Sequence, residues 1–298
     1  MRDVTPETIS DAFAQYAAAP QNQRARDIIV SLAGHLHAFA REVGLTHEEW
    51  RAGLDALTRA AAISDAQRNE FVLFSDMLGV SSMVDMINTP PGATSSSVLG
   101  PFHQRGAPVL RNGGDLWKGQ PGEVLVVTGE VVDAATGAPV PAATLDLWQN
   151  ADNGFYSAQD PAQPDKNYHG ILTADEEGRF CFSTTRFKAY TVPYDGPAGD
   201  MLRVLGREAW RPAHLHLIVE AEDYRPIVTE LFPSDDQWLD RDAAFGVRPD
   251  IILELTPTTT RKDVPEMLEV RDRLPERFLM ANVRLRLAKE EKGRSLLF

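Results

Sequence analysis

The sequence predicts an α+β protein, with a helical region over residues 1–100 and an antiparallel β-sandwich or barrel over residues 101–298. Three observations predict it. Up to about residue 95, apolar residues recur three and four apart, the period of a helix packed on one face. From Glu123 onward they come in short alternating runs separated by Gly, Pro, Asn and Asp, as half-buried strands joined by turns do, with no helical pattern between them. Between the two regimes lies Thr89-Pro90-Pro91-Gly92-Ala93-Thr94-Ser95-Ser96-Ser97, a run of turn-formers.

Thr5-Pro6-Glu7 combines a cap, a proline suited to the first helical position and an early acid, so a first helix is expected through about Tyr16. Ile28, Ile29, Leu32, Leu36, Phe39 and Val43 mark a second helix, with Gly44 as its left-handed terminator. Thr46-His47-Glu48-Glu49 is a capping box ahead of Trp50, Leu54 and Leu57. A second box, Ser64-Asp65-Ala66-Gln67, precedes Phe71, Phe74, Leu78 and Met83. The expected strands are 124–132, 143–148, 179–183, 213–219, 227–232 and 251–255, with a late run over 277–287 closing a sheet. Ala134-Ala135-Thr136-Gly137 turns the first strand into the second. The Pro-, Asp- and Gly-rich stretches near 157–170 and 192–200 exceed what hairpins need, so a site is sought there.

With 43 acidic against 30 basic residues the chain carries a formal charge of −13, which disfavours nucleic-acid binding and suits a protein that handles small molecules. Neither a signal-peptide pattern nor an apolar run of about 20 residues occurs, so no membrane association is expected. The single cysteine, Cys181, allows no intrachain disulfide, and together these features predict a cytoplasmic protein. Phosphate loops, dinucleotide fingerprints, nucleophile elbows and cysteine pairs for zinc are absent from the sequence.

The chemistry concentrates in Arg211-Pro212-Ala213-His214-Leu215-His216-Leu217. On a strand, His214 and His216 share one face while Leu215 and Leu217 take the other, so two imidazoles can grip one metal. His35-Leu36-His37 has the same spacing inside a helical pattern, where residues two apart diverge by about 200° and cannot. Tyr156 lies just past a strand, in Asp152-Asn153-Gly154-Phe155-Tyr156-Ser157, and Tyr190 in the loop before the histidine strand, with Tyr194 as its rival. A phenolate is a hard anionic ligand that suits Fe(III) better than Zn(II) or Cu(I).

These residues resemble the intradiol ring-cleaving dioxygenases, the catechol and hydroxyquinol 1,2-dioxygenases. The resemblance rests on Asn153-Gly154-Phe155-Tyr156-Ser157, on Tyr190-Thr191-Val192-Pro193-Tyr194-Asp195-Gly196-Pro197 and on Arg211-Pro212-Ala213-His214-Leu215-His216. It implies one Fe(III) per subunit bound by Tyr156, Tyr190, His214 and His216. It also implies a catalytic sandwich, and an N-terminal helical linker that forms a homodimer with a possible bound phospholipid. Phe71-Val72-Leu73-Phe74-Ser75-Asp76 and Val98-Leu99-Gly100-Pro101-Phe102 look most like the hydroxyquinol branch. By that resemblance Leu73, Asp76, Val98, Leu99, Gly100, Pro101, Phe102, Val192, Pro193, Arg211 and Glu230 bind the aromatic substrate, and Asp76 offers an acceptor to a third ring hydroxyl.

The pattern departs from the family at His103, where a phenol is expected, and at Glu230, where catechol relatives carry an amide. Tyr190 and Arg211 are the implied catalytic residues, Tyr190 taking a proton from the substrate diol and Arg211 stabilising developing negative charge. O2 is the co-substrate, and hydroxyquinol would yield 3-hydroxymuconate or its tautomer maleylacetate. Catechol or chlorocatechol cleavage is the alternative. A zinc hydrolase using His214, His216 and Glu230, or a non-catalytic ligand-binding sandwich, stands further off.

Overall fold

The computed structural model describes residues 4–17, 22–65 and 68–290. It shows a mixed α/β protein that divides into two compact units at the Arg59–Ala60 link. The helices α1 (Ile9–Tyr16), α2 (Gln23–Glu42) and α3 (His47–Ile63) come first. Gly44, at φ +61°, follows α2 in the left-handed conformation that a side chain disfavours. The box ahead of α3 forms as expected, the Glu49 N–H donating to Thr46 Oγ1 at 3.2 Å and the Glu49 carboxylate accepting from the Thr46 N–H at 2.9 Å. His35 and His37 lie within α2.

In the second unit, α4 (Glu70–Met77) and α5 (Val80–Asn88) precede the strands. The second expected capping box does not start α4. Its Gln67 lies outside the described residues, and the side chain of Asn69 caps the helix instead, accepting from the N–H groups of Phe71 and Val72. The strands are β1 (Gly114–Asp115), β2 (Val124–Asp133), β3 (Thr144–Trp148), β4 (His169–Thr173), β5 (Arg179–Thr185) and β6 (Tyr190–Thr191). After helix α6 (Pro197–Val204) come β7 (Trp210–Arg211), β8 (Leu215–Glu220), β9 (Ile227–Pro233), β10 (Ile252–Leu253), β11 (Thr256–Thr258) and β12 (Phe278–Leu287).

Two five-stranded sheets, ordered β1-β5-β2-β12-β11 and β10-β9-β8-β3-β4, bury alternate side chains in one core that includes Leu125, Val127, Leu145, Leu147, Leu215, Leu217, Leu285 and Leu287. The pairing is not wholly antiparallel, as the alternation had suggested. β2 runs parallel to β12, β1 to β5 and β10 to β9. Alternation fixes which face a residue takes and carries no information on the direction of a neighbour distant in the chain.

The stretch expected as an irregular connection at 192–200 contains α6. Pro197 stands at its first turn, and the buried Glu70 carboxylate accepts from the Ala198 N–H at 2.9 Å, filling one of the open donors of the helix start. Arg68 bridges Glu70 and Asp195. α4 and the connection carrying Tyr190 are thereby tied together. The strand expected at 251–255 shortens to the two residues of β10, after a tight turn at Pro249–Ile251.

Candidate active site

The second sheet sends its leucines into the core and carries a different row on its other face. Strand register pairs His216 with Glu230 on β9, Trp148 with His216, and Trp148 with His169 on β4. Glu230, His216, Trp148 and His169 therefore stand side by side across four strands. Trp148 stacks flat on the His216 imidazole, 4.8 Å between centroids and 3° between planes, which fixes the ring. Gly100 packs close against the same ring, for a Cβ there would lie 3.1 Å from His216 Cε1 and the backbone has φ +69°. Glycine alone meets both demands cheaply.

His214, just ahead of β8, donates from Nδ1 to the Pro212 carbonyl at 2.7 Å. Its Nε2 lone pair then faces the phenol of Tyr156 at 3.3 Å and Nε2 of His216 at 3.1 Å. The pairing of β6 with β7 sets Tyr190 opposite Arg211, and its ring lies 5.4 Å from His214 and 5.6 Å from Tyr156. The four side chains that the sequence singled out are thus brought together. Tyr194 is not among them: it is half exposed.

Burial pushes both phenols above the usual tyrosine range and both imidazoles below the usual histidine range. For Tyr156 the neighbouring Tyr190 adds to the effect, and for His216 the neighbouring His214 does. The cluster is therefore four neutral donors, and among the described residues His216 Nδ1 has no hydrogen-bond partner, the Glu230 carboxylate standing 3.4 Å from it. Such a set fits a cation, which would use the facing lone pairs and draw the phenols toward ionisation. His214, His216 and Glu230 also place one ligand atom each within 4.8 Å of one another.

Glu230 is already engaged. Its two oxygens accept from Arg211 at 2.6 and 2.9 Å, and Ser97 Oγ donates to Oε2 at 2.6 Å. Burial opposes its ionisation, but the charge and hydrogen bonds of Arg211 outweigh it and hold the carboxyl far below the usual range. Arg211 is itself buried and also bonds Asp242. Gly246 packs over this network, where a Cβ would lie 2.7 Å from the guanidinium. The sequence suggested neither Asp242 nor Ser97. Both lie in connections without periodicity, 31 and 133 residues from the groups they bond.

Of the expected pocket residues, Phe102 stacks on Tyr156 at 4.6 Å, and Leu73 packs into a small core with Val192, Met77, Ala198 and Leu202. Asp76 is partly buried, and burial raises its carboxyl, a hydrogen bond from Ser81 and the charge of Arg211 pulling part of the way back. Val98 is buried, Pro193 partly so, and Leu99 and Pro101 are exposed. A separate cavity of about 820 Å³ is lined by Arg207, Arg241, Arg248 and Phe245. Its arginines are bonded to Met77 and Ala243 carbonyls, to Glu208 and to Ser82, and it includes none of the four donors.

The chain matches the family described as "Dioxygenase" over residues 99–276, and that described as "Catechol dioxygenase N terminus" over residues 22–95. It is 41% identical to the 6-chlorohydroxyquinol 1,2-dioxygenase of Cupriavidus pinatubonensis over 254 residues, 85% of this chain and 92% of that protein. Against the hydroxyquinol 1,2-dioxygenase of a Rhizobium species it is 42% identical, covering 78% of this chain and 79% of the other. The crystal structure of hydroxyquinol 1,2-dioxygenase from Pseudomonas putida superposes with a TM-score of 0.87 at 39% identity, covering 96% of this chain and 99% of that one. A likeness of this extent, in sequence and in fold, makes the chain a member of the intradiol ring-cleavage dioxygenases, enzymes that in general depend on iron.

Proposed function

We propose that the protein cleaves hydroxyquinol, 1,2,4-trihydroxybenzene, with O2 between its two adjacent hydroxyl-bearing carbons. The product is 3-hydroxy-cis,cis-muconate, which tautomerises to maleylacetate. The observation that carries this reading is the convergence of two phenols and two imidazoles on one sheet face, beside a buried arginine. Tyr156, Tyr190, His214 and His216 would hold one Fe(III) per chain. The ion, when bound, supplies the Lewis acidity that draws electron density from the substrate diol.

The protein's own residues do the rest. Tyr190 is only partly buried and lies beside Arg211, so its phenol oxygen is the group that exchanges a proton with the diol. Arg211 brings a fixed positive charge toward the oxygens where negative charge develops, and Glu230 and Asp242 hold it in place. Leu73, Val98, Leu99, Gly100, Pro101, Phe102, Val192 and Pro193 form the walls for the ring. Asp76, whose carboxyl feels the charges of Arg211 and Glu230, accepts from the third hydroxyl. Hydrolysis through His214, His216 and Glu230 is disfavoured because Arg211 and Ser97 occupy the Glu230 oxygens.

The same reading takes 1–100 as the helical linker and 101–298 as the catalytic β-sandwich of a cytoplasmic homodimer. The exposed apolar residues Ile29, Leu32, Leu36 and Phe39 on α2 support a second copy as partner, with a phospholipid filling the joint. Oxygen uptake with hydroxyquinol, catechol and chlorocatechols, compared side by side, tests the substrate. Hydroxyquinol should turn over fastest. A clear preference for catechol would defeat the substrate assignment, and colourless protein with no uptake on any diol would defeat ring cleavage itself.

A further inference from the structure

Next to the site just described, on the same sheet face, a second group of donors converges. Asp146 lies two residues before Trp148 on β3, and its carboxylate accepts from His103 Nε2 at 2.9 Å through one oxygen and from His169 Nε2 at 2.7 Å through the other. The ligand atoms of all three fall within 4.8 Å of one another. Trp148 meets His103 edge-on at 4.7 Å and lies 5.9 Å from His169, so the group sits against the other side of the His216 stacking partner. His169 is only 3% exposed, whereas His103 and Asp146 are 18% and 20% exposed, which leaves a path from solvent.

We infer that His103, Asp146 and His169 form a second cation site, for a divalent transition ion such as Zn2+, that pins the pocket segment 98–103 to β3 and β4. Two imidazole nitrogens and one carboxylate are the donors such an ion prefers, with a remaining position for water. The separations of 2.7 and 2.9 Å are shorter than the roughly 3.3 Å between ligands of one tetrahedral ion, and the two histidines use different carboxylate oxygens, so entry requires both imidazoles to turn from hydrogen bonding toward a shared point. Each imidazole then carries its ring proton on Nδ1. The chain beyond His103 is already anchored to β4, the Leu110 N–H donating to the Ile171 carbonyl at 2.7 Å and the Ile171 N–H to Pro108 at 2.8 Å. An ion at His103 would fix the end of this segment nearest Phe102. The inference stands on its own residues, whichever metal the neighbouring site holds.

The test is a titration of the iron-loaded protein with zinc chloride at neutral pH by calorimetry, with visible absorption followed in parallel. The expected result is one zinc per chain at micromolar or tighter affinity, with the iron-phenolate band unchanged. His103→Gln and His169→Gln should each weaken binding by about 100-fold. Zinc-edge absorption should show two imidazole nitrogens at about 2.0–2.1 Å. Lack of binding at about 100 μM zinc, far above any functional affinity, would overturn the inference and leave a hydrogen-bonded triad. So would binding equal in both variants, or uptake that bleaches the band, since the zinc would then sit elsewhere. Variants at two ends of the group keep the test decisive if one fails to fold. In protein that is colourless from the outset zinc also competes for His214 and His216, and one equivalent lost in both variants is then the result that supports the inference, while none lost overturns it.

Discussion

Trp148 separates two clusters of titratable side chains that meet the problem of buried polarity in opposite ways. In the His103–Asp146–His169 group the negative charge is internal. Burial opposes ionisation of Asp146, but hydrogen bonds from His169 and His103 outweigh it and hold the carboxyl below its usual range. In the Tyr156–Tyr190–His214–His216 group the nearest carboxylate, Glu230, lies 3.4–3.5 Å from the imidazoles and is bonded to Arg211. Burial keeps these phenols protonated and these imidazoles uncharged. The first cluster is satisfied without a metal, and a cation there must replace existing hydrogen bonds. In the second, four neutral donors face one another, so a cation adds interactions that nothing else supplies.

His216→Ala gives the largest expected break in this contrast. It should release the iron and lower oxygen uptake by at least about 10³-fold, roughly 4 kcal/mol in activation free energy. His169→Gln should keep iron and most of the activity. Metal analysis beside oxygen-electrode rates decides the matter, and a His216→Ala protein that retains both would erase the distinction between the clusters.

Arg211→Ala sharpens the comparison from the side of Glu230. It leaves Glu230 and Asp242 buried without their cation, so urea unfolding should show a loss of about 3–5 kcal/mol. A loss below about 1 kcal/mol would mean that the histidines already satisfy Glu230.

The smallest effect expected is at Asp76. Asp76→Asn should raise KM for hydroxyquinol about tenfold, with little change for catechol, because only the triol loses an acceptor. Its pH signature is also defined. Below the usual carboxylate value of about 3.9 both folded and unfolded chains are protonated at this position. As pH rises, the unfolded chain ionises first, so the raised Asp76 costs stability until it ionises in the fold as well. Thermal melts should therefore show Asp76→Asn gaining on the parent protein as pH rises above about 4. A constant difference would place Asp76 in solvent.

Much of this site was legible in the chain. The alternation through Leu215, His216 and Leu217 put the imidazole on the face away from the core, and the helical setting of His35 and His37 removed the competing pair. Tyr190 and Tyr156 were found because the sequence places them beside long connections that simple hairpins do not need, although Tyr190 falls on the two-residue strand β6. Asp146 and Trp148 alternate with Leu145 and Leu147 in the same way, a signal that could have placed them on the sheet face beside His216. Their neighbour His169 had none, because it opens β4 directly after an irregular connection. Glu70 was likewise hidden, since an acid in a first helical turn reads as a helix start rather than as a buried cap for α6.

The sequence by itself determined the helical and strand regions, the faces their residues take and the donor types gathered for a metal, because periodicity and side-chain chemistry are local properties. The tertiary structure alone decided the parallel pairing of β2 with β12 and the row that runs from Glu230 through His216 and Trp148 to His169. It also decided which carboxylate goes to Arg211 and which to two histidines. Those outcomes depend on strand register and on contacts between residues from 14 to 154 positions apart, where no local pattern records which groups will share a buried charge.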